Sequence, residues 1–228
     1  MNSLKHQNVL NKYNKKKKIT THSPSISQAL KSDNKTNWIN AINLEVQSLL
    51  NDNILIPINY NDLPNEFEYI DLTTKLKLKF KANGEIDKFK ARSCARGDQL
   101  QHTYSHTEIF SPTISDETFL LLMQLSIIYS CEATNIDTVS AFLHQKRPTD
   151  TIKIFTRIEK TICIHCNLDP KQFYIVNKYL YGLPDSGKAY YEAILFLLTS
   201  NSFIQSIVDN RLFYIINKTS NLHYHLCR

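Results

Sequence analysis

Chemistry is densest between Lys75 and Arg92. Lys75-Leu76-Lys77-Leu78-Lys79-Phe80-Lys81 alternates strictly between cation and apolar side chain. A strand points successive side chains to opposite faces, so this pattern gives one lysine face and one apolar face. Asn83-Gly84 follows. That dipeptide is the strongest short hairpin signal, because a type I′ turn needs positive φ at both central residues. With those two as the turn, Ala82 faces Glu85 and the register is fixed. Lys79 then faces Lys88, Lys77 faces Lys90 and Lys75 faces Arg92, while Leu78 meets Phe89 and Leu76 meets Ala91. Like charges directly opposite one another destabilise a sheet. A chain that keeps three such pairs predicts a polyanion on that face; the alternative is an exposed edge made soluble by lysine.

Two other groupings could bind metal. Asp137 ends an apolar stretch and is followed by Ala141-Phe142-Leu143. It is a candidate metal carboxylate, though a lone aspartate there more commonly caps a turn. Cys163-Ile164-His165-Cys166 has the spacing of half a zinc site, with His223, His225 and Cys227 as distant partners. The tail lacks the usual spacing of a second half-site, and Ile162 with Ile164 predicts a strand instead. Arg96-Gly97 and Tyr181-Gly182 are isolated glycines, so no glycine-rich phosphate loop is present.

These residues need elements to position them. Trp38, Ala41, Ile42, Val46, Leu49 and Leu50 recur at helical spacing and predict an amphipathic helix over 34–51, capped by Asp33 or Asn34. Residues 56–70 hold Pro57 and Pro64 among Asn and Asp and read as loop. Asp116 is placed to cap a helix over 117–130 that is apolar almost all round, the mark of a buried helix. A short strand is predicted near 132–137, with further strands at 152–157, 173–178 and 211–217. Leu180-Tyr181-Gly182-Leu183-Pro184 turns into a helix over about 186–200. Helices and strands without regular alternation predict an α+β fold.

The chain has 228 residues and a formal charge of +6. Seven lysines and no acid precede Asp33, so the basic excess belongs to the N-terminal stretch. Residues 1–24, with Lys15-Lys16-Lys17-Lys18, read as a disordered basic arm. No run of 18 apolar residues is present, so no membrane partner is expected, and no secretory signal opens the chain. The expected location is intracellular, in cytoplasm or nucleus, with the five cysteines as free thiols. Oligomeric state is not legible.

Lys88-Phe89-Lys90-Ala91-Arg92-Ser93-Cys94-Ala95-Arg96-Gly97 resembles the Y-K-A-R-L-V-A-R-G segment of Ty/copia-type retrotransposon reverse transcriptases. Glu108-Ile109-Phe110-Ser111-Pro112 resembles their E-T-F-S-P, and Asp137 through His144 resembles D-V-x-x-A-F-L-H. Leu180-Tyr181-Gly182-Leu183 with Ser186 through Tyr191 resembles L-Y-G-L-K-Q-S-x-x-x-W-Y. Asp209 with Leu212-Phe213 resembles D-x-x-L-F, and Trp38, Ala41 and Glu45 fit an opening W-x-x-A-x-x-x-E helix. The motifs keep the family's order and approximate spacing from about residue 25 to the end.

The resemblance implies a right-hand polymerase: fingers and a partial palm within 25–228, with the fingers hairpin at 75–92 and palm elements over 132–217. It implies an RNA-directed DNA polymerase whose partners are an RNA or DNA template-primer and a deoxynucleoside triphosphate. Lys75, Lys77, Lys79 and Lys88 would contact nucleic acid. Arg92, with Lys90 beside it, would lie near the triphosphate. Asp137 would be a catalytic metal ligand for Mg2+, and Phe142 would stand at the steric gate against a ribose 2′-OH.

Three departures accompany this. Pro184-Asp185 replaces the family's Lys-Gln, an arginine is replaced around Leu120, and the Trp of a Trp-Val-Phe-Lys strand is lost. The family's Tyr-Val-Asp-Asp hairpin is also expected beyond Arg228. The sequence therefore reads as cut off before its catalytic hairpin, with Asp137 as its only metal carboxylate. On that reading the chain is inactive in primer extension, as Pol polyprotein sequence or as a non-catalytic nucleic-acid-binding remnant.

Overall fold

The computed structural model describes residues 23–132, 134, 136, 138, 141–148, 151, 153–216 and 222–226. For Phe142, His144, Ile216 and 222–226 it describes the backbone alone. Residues 1–22 of the expected arm, Asp137 and Cys227 lie outside the described residues. The fold is mixed α/β, and chain contacts divide it into two compact units. The first holds the described residues up to Thr103 together with Lys146–Leu183; the second holds Tyr104–Gln145 and the described residues from Pro184 on.

In the first unit, α1 (Ile26–Leu30) precedes α2 (Lys35–Asn51). A capping box at Ser25 and Gln28 starts α1. Asn34 stands at the N-cap of α2, but its side chain makes no capping bond. The predicted stripe faces inward: Trp38, Ala41, Ile42, Val46 and Leu49 are buried.

A four-stranded sheet has the order β1-β6-β5-β2, from β1 (Leu55–Ile58), β2 (Glu68–Tyr69), β5 (Ile154–Thr156) and β6 (Phe173–Val176). Only the β2–β5 pairing is parallel. The expected loop over 56–70 thus contains two strands. Pro57 is tolerated in β1 because β1 is an edge strand, where a missing N–H costs no ladder bond. A separate two-stranded ribbon joins β3 (Leu72–Phe80) to β4 (Ile86–Ala95).

The zinc-like segment is not a strand. Lys160–Cys166 is helix α5, which closes on Asn167 with φ 56°. Alternation of two isoleucines is too short to fix a period, and the helix buries Ile162 and Cys163 while leaving Ile164 exposed.

The second unit contains α3 (His106–Ile109), α4 (Asp116–Ile128), a 3-10 turn at Ala141–His144 and α6 (Ser186–Ser200). Its sheet has the order β7-β8-β9, from Ile204–Gln205, Leu212–Ile216 and Leu222–Leu226. Ser115, not Asp116, caps α4 by accepting from the Thr118 N–H at 3.1 Å. That shift leaves Asp116 and Glu117 in the first turn, where the helix dipole favours them.

Helix α4 is not buried as expected. Leu122 alone is buried, whereas Leu120, Leu121, Ile127 and Ile128 are exposed. A helix that is apolar all round needs neighbours on every side, and the described residues cover one. Of the strand expected near 132–137, residues 133, 135 and 137 lie outside the described residues, and Glu132, Thr134 and Ile136 carry no regular structure.

Candidate nucleic-acid interface

The ribbon's register is the predicted one. Lys75 pairs with Arg92, Lys77 with Lys90, Lys79 with Lys88, Leu76 with Ala91 and Leu78 with Phe89. The turn that leads to it is different. The Gly84 N–H donates to the Lys81 carbonyl at 2.9 Å, and the Lys81 N–H donates to the Glu85 carbonyl at 2.9 Å. Gly84 takes φ 85° while Asn83 keeps a negative φ. This is a three-residue loop with glycine in the positive-φ position, one residue longer than the expected type I′ turn. The longer loop makes Phe80 face Ile86, and a bulge that leaves Asp87 unpaired then restores the expected register from Lys79 onward.

Each face of the ribbon is fixed by its side chains. Leu76, Leu78 and Ala91 are buried on the apolar side. Phe89 meets the Trp38 ring edge-on at 4.7 Å, with Trp38 itself 1% exposed. Burying such side chains is worth about 1.5–3 kcal/mol each, which outweighs the about 0.2–1 kcal/mol cost of each opposed like-charge pair.

On the other side Lys75, Lys77, Lys79 and Lys88 are exposed, and Lys90 and Arg92 are partly covered. Among the described residues none of these six cations forms an ion pair. Their crowding is visible in Lys90, whose ammonium is pushed below its ordinary range. Burial is the main cause, followed by repulsion from Arg92, Lys79 and Lys88, against a smaller pull from Glu45.

Three features here are poorly legible in the sequence. Glu45 lies seven residues after Trp38 on the same apolar stripe, and its Oε1 accepts the Ser93 N–H at 2.7 Å. Burial raises its carboxyl above the ordinary range, against the Ser93 bond and the nearby Arg92 and Lys90 charges. The W-x-x-A-x-x-x-E match singles Glu45 out, and so does its place as an acid on an otherwise apolar helix face, but neither names its partner.

The second feature is how the Leu180–Leu183 motif docks on β4. The Ala95 N–H donates to the Tyr181 carbonyl at 2.6 Å, and the Arg92 guanidinium lies 4.2 Å from the Tyr181 ring centre. Gly182 has φ +93°, and a Cβ there would stand 2.2 Å from the Ala95 carbonyl oxygen. Only glycine permits that approach.

The third is an aromatic group beside the four-stranded sheet, with Tyr60 and Arg157 exposed and Tyr69 and Phe173 partly covered. Phe173 lies 6.0 Å from Tyr60 and 6.2 Å from Tyr69, and the Arg157 guanidinium lies over both Phe173 and Tyr69. No short motif announces it.

Asp137 lies outside the described residues, and Phe142 is described only as backbone in the 3-10 turn. Asp185 sits at the N-cap position of α6. Asp209 serves its own unit: its carboxylate accepts the N–H groups of Ser115 at 3.0 Å and Arg211 at 2.9 Å. Burial would raise that carboxyl, but these bonds, with the Thr118 and Ser115 side chains, hold it below the ordinary range. Among the described residues no three His, Cys, Asp or Glu side chains gather to hold a metal ion. No helix of the described residues is long and apolar enough to cross a membrane.

Comparison with known proteins agrees with the motif order. The family described as "Reverse transcriptase (RNA-dependent DNA polymerase)" matches residues 58–223. A retrovirus-related Pol polyprotein from transposon RE1 of Arabidopsis thaliana is 24% identical over 193 residues, 82% of this chain. The corresponding polyprotein from transposon RE2 of the same plant is 26% identical over 140 residues, 60% of this chain. The chain spans 12% and 9% of the lengths of these two relatives. No solved structure matches. Motif order and a family match over 58–223 lead to one conclusion: the chain belongs to the reverse transcriptase (RNA-dependent DNA polymerase) family.

Proposed function

We propose that this chain supplies the template- and nucleotide-gripping part of a Ty/copia-type RNA-directed DNA polymerase, with the β3–β4 ribbon as its fingers hairpin. The observation that carries the reading is the ribbon's cationic face, where Lys75 opposes Arg92, Lys77 opposes Lys90 and Lys79 opposes Lys88. Phosphates bound there would relieve the repulsion that the pairing creates. Lys75, Lys77, Lys79 and Lys88 contact the template-primer backbone. Arg92, whose guanidinium lies over the Tyr181 ring, meets the incoming triphosphate with Lys90 beside it. Phe142 is the residue that rejects a ribose 2′-OH, and the elements over 132–217 belong to the palm.

The family works with divalent metal. Asp137 is the carboxylate this sequence offers for it, and it lies outside the described residues. The role proposed for the ribbon's residues is binding and orientation of polyanions.

The test is binding of short single-stranded and duplex oligonucleotides, read by fluorescence anisotropy. Combined Lys77→Glu, Lys79→Glu and Lys90→Glu is expected to weaken binding more than tenfold on both. Unchanged binding by the triple variant would defeat the proposal.

A further inference from the structure

The aromatic group around Phe173 points to a second contact for nucleic acid, one that holds bases instead of phosphates. We infer that Tyr60, Tyr69, Phe173 and Arg157 form a stacking platform for unpaired bases of a single strand. This rests on the polyanion reading of the ribbon and extends it.

Phe173 opens β6 and faces Ile58 of the edge strand β1. Its ring is the centre of the group, with Tyr60 at 6.0 Å and Tyr69 at 6.2 Å. Arg157 follows β5, and its guanidinium carbon stands 4.9 Å from the Phe173 ring centre and 5.6 Å from that of Tyr69. Its Nε donates to the Tyr69 hydroxyl at 3.3 Å. Tyr60 is 74% exposed although it has an aromatic neighbour to pack on. A core-forming tyrosine would bury its ring; this one presents it.

Two properties select the occupant. Planar rings with an accompanying guanidinium match the π-faces of bases, and such stacking tolerates any base. The group is also joined to the cationic ribbon, because Tyr69 precedes Lys75 by six residues, a span of at most roughly 20 Å. One strand can therefore lay its phosphates on the lysines and its bases on the rings. Of the neighbouring acids, Glu68 accepts the N–H groups of Gln101 and His102, Asp71 accepts from the Gln99 side chain, and Asp62 accepts from Asn59. Asp71 also accepts the Tyr69 hydroxyl at 3.4 Å and so helps to set that ring.

The experiment uses the full chain and three probes of equal length: oligo(dT), oligo(rU) and an oligomer whose central positions are abasic. The wild type is expected to bind the base-bearing oligomers about tenfold more tightly than the abasic one. Tyr60→Ala and Arg157→Ala should remove that preference, and Tyr60→Trp should keep it. Tyr60→Ala should also leave the salt dependence unchanged, because it removes no phosphate contact. Emission from Trp38, the single tryptophan of the wild type, verifies in Tyr60→Ala and Arg157→Ala that the ribbon still packs on α2. Equal wild-type affinity for base-bearing and abasic probes would overturn the platform and leave the ribbon reading standing if the lysine reversals still weaken both. Binding of no probe would overturn both.

Discussion

The two compact units treat their apolar side chains differently. In the first, α2 and the ribbon meet at Trp38 and Phe89, the ribbon buries Leu76 and Leu78, and the sheet region buries Ile54, Leu55, Ile154, Phe155 and Val176. In the second, the buried apolar side chains among the described residues are few: Leu122, Leu143 and Phe213. Ile127 is 78% exposed and Ile128 70%, and Phe196, Leu197, Ile207 and Val208 are exposed as well. What orders the second unit is largely polar. Arg211 donates through Nε to the Pro112 carbonyl and through Nη2 to the Ser111 hydroxyl, while its guanidinium lies over Tyr191. Asp209 ties β8's approach to the start of α4. One unit is held by a core and the other by hydrogen bonds around a small core, so substitutions should cost most in the first.

The largest effect is expected at Trp38. Trp38→Ala should lower stability by about 3–5 kcal/mol, because it opens a cavity against Phe89. Denaturant unfolding followed by far-UV circular dichroism measures it, and a loss below about 1 kcal/mol would mean the ribbon does not depend on α2. Gly182→Ala comes next, at about 3 kcal/mol, since both its positive φ and the Ala95 carbonyl exclude a side chain. The same unfolding assay decides it.

Glu45 sharpens the comparison through pH. Glu45→Ala leaves the buried Ser93 N–H without its acceptor and should cost about 1–3 kcal/mol. Glu45→Gln keeps an acceptor and removes the charge. Because burial raises this carboxyl above its usual 4.5, the folded chain takes up the proton first as pH falls. The wild type therefore carries a penalty above the folded pKa that is relieved on descending toward 4.5. Stability of Glu45→Gln relative to wild type should rise as pH increases through that window. A constant difference across it would show that Glu45 is not held in a desolvating site.

The smallest effect is expected in the second unit. Ile127→Ser should change stability by no more than about 0.5 kcal/mol and reduce self-association in sedimentation. A loss of several kcal/mol would show that α4 is covered and that the contrast between the units is false.

The same contrast explains what the sequence discloses. The ribbon is legible because strand alternation is local: Lys75 through Lys81 states its own two faces, and the register survives even though Asn83-Gly84 builds a different turn, since the Asp87 bulge absorbs the extra residue. Helix α2 is legible for the same reason, as its apolar residues form one inward-facing stripe. For α4 the composition says only that the helix needs cover, and local pattern does not say what supplies it. Pro57 hides β1 because edge position, which makes the proline harmless, is a property of the assembled sheet. Within the candidate site the lysines are readable from alternation, whereas the docking of Tyr181-Gly182 on Ala95 and the group around Phe173 join residues far apart in sequence.

The central claim is that the cationic face of the ribbon binds nucleic-acid phosphates. Its most direct test is the slope of log K against log salt concentration for a duplex oligonucleotide, wild type against Lys77→Ala, Lys79→Ala and Lys88→Ala. Each phosphate contact releases a counterion, and each lysine lost should reduce the slope by about 1. Stepwise flattening with each substitution is the predicted result. Slopes that stay at the wild-type value in all three variants would contradict the account.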